Sequence, residues 1–360
     1  MKDQIRSAQI VLPCANLNET LEFFTETLGF RVEMIFPADA PRAAVISGYG
    51  LTLRLESSDA IQPLTLKLFG DFSTLDVARE IYSPDGVCVI LADAKSSIEI
   101  PDGTNEFVLT TLENENSWNA GRAGMFYRDL IPNRLGGRFI ASHIRILEGG
   151  EVPDYVHYHK IRFQMIYCLA GWAKLVYEDQ GAPFLMNAGD CVLQPPEIRH
   201  RVLESSAKFE VLEIGCPAIH ETIADHQLQL PNDCLAPERI FGGQRFVHHI
   251  AEKAIWKNSQ FESFEKRDTG ISEATDGLAD VRALRAIADA NLSVNHSGEF
   301  LFFFIFKGNL RLSDDEGKIY RLNVGDCFVL PTGAEYFIDA DKGVEMLRVS
   351  LPAETNKKAK

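Results

Sequence analysis

The chain repeats itself. CLAGWAKL at 168–175 returns as IFKGNLRL at 305–312, and NAGDCVLQPPEIRH at 187–200 returns as NVGDCFVLPTGAEY at 323–336. A repeat of about 136 residues is the size of a domain, so this part of the chain is two copies of one fold. Both copies are built from short alternating runs. RFIASHIRI, CLAGWAKLVYE, CVLQPP and KFEVLEIG make up the first; VRALRAIA, EFLFFFIFKGNLRL, KIYRLNVGDCFVLP and EMLRVSL make up the second. Many short strands with glycine turns between them predict a sandwich or barrel.

The first copy carries the chemistry. Strand residues two apart share a face, so His157 and His159 in HYHKIRFQMIYCLAG project together while Tyr158 points away. A turn and a second strand bring Gln164 alongside, and the Gly189–Asp190 turn leads through Pro195 and Pro196 to a third imidazole, His200. Three imidazoles at these offsets predict a metal centre. A lone histidine on a strand, by contrast, is more often a core or surface residue. His143, out of phase with Ile140, Ser142 and Ile144, is expected to face away from an interior those three line. His220, His226, His248 and His249 stand in no such frame and read as structural or surface residues.

The spacing His157-x-His159, Gln164, Gly171, followed by Gly189, Pro195, Glu197 and His200, matches two cupin motifs. Glutamine replaces the usual acid, and Glu197 replaces the usual glycine. Residues 116–352 thus resemble the metal-binding cupin superfamily, arranged as a bicupin. The resemblance implies double-stranded β-helix (jelly-roll) barrels, a mononuclear metal and a small organic substrate. It also implies dioxygenase chemistry with Fe(II), and a homodimer as the family's habit. Imidazole-rich sites accept Zn, Mn, Ni and Cu as well. Metal-assisted isomerase or lyase chemistry without O2, and a noncatalytic small-molecule-binding cupin with a structural metal, are the alternatives.

A glutamine amide carries no charge and cannot act as a general base. Gln164 either ligates through its oxygen or orients water or substrate beside the ion. Three neutral imidazoles and an amide leave a +2 ion uncompensated, which favours an anionic substrate. Glu197 is the candidate acid or base, and Arg162, Tyr167 and Arg199 are candidate substrate contacts. In the second copy Val294, His296, Leu301 and Tyr336 stand opposite His157, His159, Gln164 and His200. One histidine cannot hold a divalent ion, so this copy is expected to be metal-free. Its FLFFFIF run reads as a core strand, with rings that could also line an apolar cavity.

Before the repeat, SAQIVLP, the helical ANLNETLEFFTETLGF, AAVISG and LTLRLE follow a β-α-β-β-β order. The helix has Asn16 or Asn18 as its cap, Gly29 as its stop, and Leu17, Leu21, Phe24 and Leu28 on one face. With SPDGVCVILA at 83–92, this resembles a vicinal-oxygen-chelate (glyoxalase-like) domain. Gln9 and Glu56 occupy that family's ligand positions, but no histidine precedes His143 and the second half is short, so a noncatalytic role is expected. The predicted organisation is therefore α+β over 1–112, a metal-binding cupin over 113–235, a degenerate cupin over 236–353 and a tail over 354–360. A formal charge of −15 argues against nucleic acid. No apolar run is long enough to span a bilayer. Seven scattered cysteines without a C-x-x-C pair suit a reducing compartment, and the expected location is cytoplasmic.

Overall fold

The computed structural model describes all residues except 1–3, 61, 63, 73, 95–97, 113–117 and 354–360. The predicted tail lies outside the described residues. The chain divides into two compact units, Met1–Ser97 and Ile98–Lys360. The strand Val108–Thr110 pairs with Cys327–Val329 in the second unit. Among the described residues no helix is long and apolar enough to cross a membrane.

The first unit runs β1 (Ile10–Cys14), α1 (Leu17–Glu22), β2 (Arg31–Phe36), β3 (Ala43–Gly48) and β4 (Leu51–Ser57). Asn16 caps α1, its side-chain oxygen accepting from the amides of Asn18 and Glu19. A π-helical turn extends the helix to Thr27, and Gly29 follows in a left-handed conformation. Leu17, Leu21, Phe24 and Leu28 pack into the unit's core, as their spacing predicts. The sheet order is β1-β4-β3-β2, with β1 parallel to β4. β5 (Thr65–Gly70), β6 (Glu80–Tyr82) and β7 (Cys88–Asp93) form a smaller sheet in which β5 lies parallel to β7. Gln9 is exposed and Glu56 is paired with Arg54.

The second unit holds two barrels, each a large sheet facing a small one. In the first, the large sheet runs Val247–His249, Cys191–Leu193, Phe163–Ala170, Phe209–Cys216, Ile140–Ile146, Phe126–Asp129 and Asn119–Ala120. Its small sheet runs Phe184–Asn187, Trp172–Tyr177, His200–Ser205, His157–His159 and Thr222–Ala224. The register reproduces the repeat. Ile166 lies between Val192 and Glu213 just as Phe303 lies between Phe328 and Arg348. His157 faces His200 where Val294 faces Tyr336.

The barrels also exchange edges. Val247–His249, which the sequence places in the second copy, completes the first barrel at Cys191–Leu193. Val108–Thr110, which precedes the first copy, completes the second barrel at the equivalent strand. Each exchange covers a sheet edge whose backbone groups would otherwise lack partners.

Alternation then sorts the cores. Phe163, Met165 and Tyr167 pack with Phe300, Phe302 and Phe304 in the layer between the two large sheets. Leu301, Phe303 and Ile305 point the other way and fill the second barrel. A strand buried on both faces reads as a continuous apolar run, which accounts for FLFFFIF.

Gly171 and Gly308, the matched glycines of the repeat, both sit in left-handed turns at φ +70° and +76°. A Cβ on Gly171 would collide with Ser206 Oγ and stand 3.2 Å from Phe209 Cα. Gly171→Ala is expected to cost about 1–3 kcal/mol, read as a lower denaturation midpoint. An unchanged midpoint would show that the turn relaxes.

Candidate metal centre

Each of the three histidines is anchored through Nδ1. In His157 it bonds the Tyr155 carbonyl at 2.8 Å, and in His200 the Ile198 carbonyl at 3.0 Å. A carbonyl only accepts, so these Nδ1 atoms carry the proton and Nε2 carries the lone pair. His159 Nδ1 meets the Thr222 hydroxyl at 3.0 Å, which again leaves Nε2 for the interior. One ligand atom from each of the three lies within 4.8 Å of the other two. All three rings are buried.

Burial also keeps them uncharged. It lowers the His157 pKa, with the Arg122 guanidinium adding to the effect. It takes His159 down to about 2, with His157 and His220 contributing, and holds His200 well below the ordinary histidine range. Neutral rings have the lone pairs that a metal needs.

The histidines line a cavity of about 530 Å³ inside the first barrel. Gln164 lines it too, only 1% exposed, and its Nε2 donates to Glu213. A carboxylate only accepts, so the amide nitrogen faces Glu213 and the amide oxygen is directed elsewhere. Ligation by the amide would require that orientation.

Sequence reasoning missed Glu213. In KFEVLEIG, Glu210 and Glu213 are three apart and so face opposite sides of their strand. Glu210 bonds His143 Nε2 at 2.8 Å outside the barrel, while Glu213 shares the inward face with Val211. That parity was readable, but which face was inward was not. His143 does turn away from the cavity, as expected. It is nonetheless buried, held by Glu210 and by Arg128 at 3.2 Å, with Trp118 against its ring.

Arg122 was missed as well, inside a polar connector. Its Nη1 donates to Asp154 at 2.7 Å and its Nη2 to His157 Nε2 at 2.8 Å. Asp154 is fixed in turn by the Val202 amide at 3.0 Å. An ion held by the His157 lone pair would take the place of this Arg122 contact; the Arg122 side chain is 37% exposed and also pairs with Asp154. His220, read from sequence as structural or surface, also reaches the cavity, its ring 5.4 Å from that of His159.

Four candidates do not reach this cavity. Tyr167 shares strand parity with Phe163 and Met165, so it lies between the barrels, where its hydroxyl accepts from Arg267 at 3.1 Å. Arg162 has the parity of Gln164 but precedes the first residue of the strand, and pairs with Glu299 at 2.9 Å. Glu197, at φ +62°, turns outward and lines a separate hollow with Arg162. Arg199 pairs with Asp225 at 3.3 Å and stacks over Tyr158. In the second barrel His296 bonds the Leu330 carbonyl at 2.8 Å, and no metal-ligating group forms there among the described residues.

No protein-family model matches the chain, and no curated protein does. Solved structures do match. Salicylate 1,2-dioxygenase from Pseudaminobacter salicylatoxidans is similar with a TM-score of 0.51 and 15% identity, over 70% of this chain and 86% of that one. A mutant of Bacillus subtilis oxalate decarboxylase gives 0.52 and 14%, over 71% and 80%. A further structure of that decarboxylase, concerned with its Mn(II) centres, gives 0.51 and 13%, over 71% and 80%. At these identities the likeness establishes the fold, mainly β with cupin-type barrels.

Proposed function

We propose that this chain is a mononuclear metal-dependent cupin enzyme acting on a small anionic organic substrate, with Fe(II) as its metal and dioxygenation as its reaction. The observation that carries this reading is the convergence of three uncharged imidazoles, each anchored at Nδ1 and presenting Nε2 to one cavity. His157, His159 and His200 would hold the ion, with Gln164 Oε1 as a fourth donor. When bound, the ion supplies a Lewis acid for a substrate oxyanion and a centre for reaction with O2.

The rest is done by the chain's own groups. Glu213 holds the Gln164 amide, and the apolar walls exclude water. Arg122, balanced by Asp154, presents a donor beside His157. Glu213 offsets one of the ion's two charges, so the centre is less electropositive than its four donors alone suggest. That charge balance favours a singly charged anion.

A second reading, metal-assisted isomerisation or lyase chemistry without O2, is favoured by Glu213, which gives the cavity a proton acceptor that needs no oxidant. The order and parallel β1–β4 pairing of the first unit support its reading as a noncatalytic, glyoxalase-like scaffold.

Metal analysis after purification without a chelating tag, followed by O2-uptake measurements, separates these readings. Stoichiometric iron with substrate-dependent uptake is the expected result; firmly bound zinc without uptake overturns the dioxygenase. Glu213→Gln is expected to weaken metal affinity about 10–100-fold in a chelator competition, because the amide loses its fixed orientation. Unchanged affinity would remove Glu213 from the site's support.

A further inference from the structure

The cavity extends well beyond the histidines. The register of the Ile140–Ile146 strand measures its depth. Ile140 lies level with Gly215, beside Gln164; Ser142 pairs with Glu213, Ile144 with Val211, and Ile146 with Phe209. All four residues of this series line the same cavity, which therefore runs down the barrel away from the metal end. Gln164 and Glu213 stand at the first two levels, and Tyr127 and Asn119 add polar groups at the level of Ile144. The rest of the wall from there on is apolar: Ile144, Ile146, Leu175, Met186, Phe209 and Val211.

The second barrel shows that this space is not an inevitable feature of the fold. At the positions of Ile166, Val192 and Val211 it carries Phe303, Phe328 and Met346, all three packed in its core. The same architecture is filled in one copy and left hollow by smaller side chains in the other. A cavity of about 530 Å³ is also far larger than a two-carbon anion needs.

We infer that the ligand of this site is amphipathic: an anionic head placed at the histidines and an apolar body of several carbons running down the barrel. The head's position rests on the metal-site reading; the body's does not, since the apolar walls exist whether or not an ion is held. The substrate class thereby narrows from any small anion to carboxylates or enolates that carry an alkyl or aryl group.

The test is calorimetric titration of acetate, butanoate, hexanoate and octanoate into the Zn(II)-loaded and the metal-free protein. Affinity is expected to rise about fourfold per methylene, at least as far as hexanoate, and with the same slope in both forms. The double variant Ile166→Phe/Val211→Met, which installs the side chains of the second barrel, is expected to flatten the series while zinc content stays at the wild-type level. Stoichiometric zinc with affinity independent of chain length in the unmodified protein overturns the inference and leaves the metal centre standing. A chain-length slope without stoichiometric zinc does the reverse.

Discussion

Replacing His157 with alanine is expected to abolish stoichiometric metal binding. His157 is 1% exposed and lies directly across the small sheet from His200. No other histidine can take its place. The His220 ring stands beside His159 at 5.4 Å, but His220 falls outside the group whose ligand atoms converge. If about 10–16 kcal/mol of metal affinity is shared among four donors, losing one costs on the order of 10²–10³-fold. The loss is checked by metal content and by chelator competition. His296→Ala serves as the control. Its ring bonds a backbone carbonyl in the filled barrel, so metal content should not change. Full occupancy in the His157 variant would refute the assignment of the centre.

Asp280→Ala is expected to destabilise the second barrel strongly while leaving metal content untouched. The Asp280 side chain is fully buried, with Arg282 Nε at 2.9 Å and Arg348 Nη1 at 3.4 Å. Burial pushes its carboxyl above the usual carboxylate range, and the two arginines pull it back. The carboxylate is thus held in the interior at a cost that only its cationic partners offset. Arg348 is itself 1% exposed, so removing Asp280 leaves a guanidinium buried without that counterion. Breaking a buried pair in this way costs about 3–5 kcal/mol. The melting temperature should fall by roughly 2–4 °C for each of those kcal/mol. Adding Arg348→Met should recover much of the loss, since an apolar replacement removes the buried charge. A loss below about 1 kcal/mol would mean that water reaches the guanidinium.

This ion pair and the carboxylate beside Gln164 are two uses of one position. Glu213 and Arg348 occupy the same register place in the two barrels. In the first copy a carboxylate there faces a cavity and holds a glutamine; in the second an arginine there closes the interior with Asp280. Duplication supplied the frame, and opposite charges at one position accompany opposite fates of the space inside.

Much of this was legible in the residues alone. The repeat announced two copies of one domain, because matched glycines mark turns that only a residue tolerating left-handed φ can make. The two-residue period of a strand placed His157 and His159 on one face and turned Tyr158 and His143 to the other. The same period, applied with the strand's starting point, would have separated Gln164 from Tyr167, which lies one face over.

What sequence could not supply were relations between segments far apart in the chain. Alternation says which residues share a face, but not which face is inward, so Glu213 read as one acid among many. It says nothing of where a connector's side chain ends, so Arg122 was invisible beside His157. Glu197, close to His200 in sequence, is turned outward by a single left-handed residue. The exchanged edges at Val108–Thr110 and Val247–His249, and the choice between a filled and a hollow barrel, rest on long-range pairing and on the summed volume of facing side chains. The sequence by itself determined the copies, the strand faces and the three histidines, because those depend on local geometry. The tertiary structure alone decided the carboxylate, the arginine and the depth of the cavity, because those depend on what the rest of the chain packs against them.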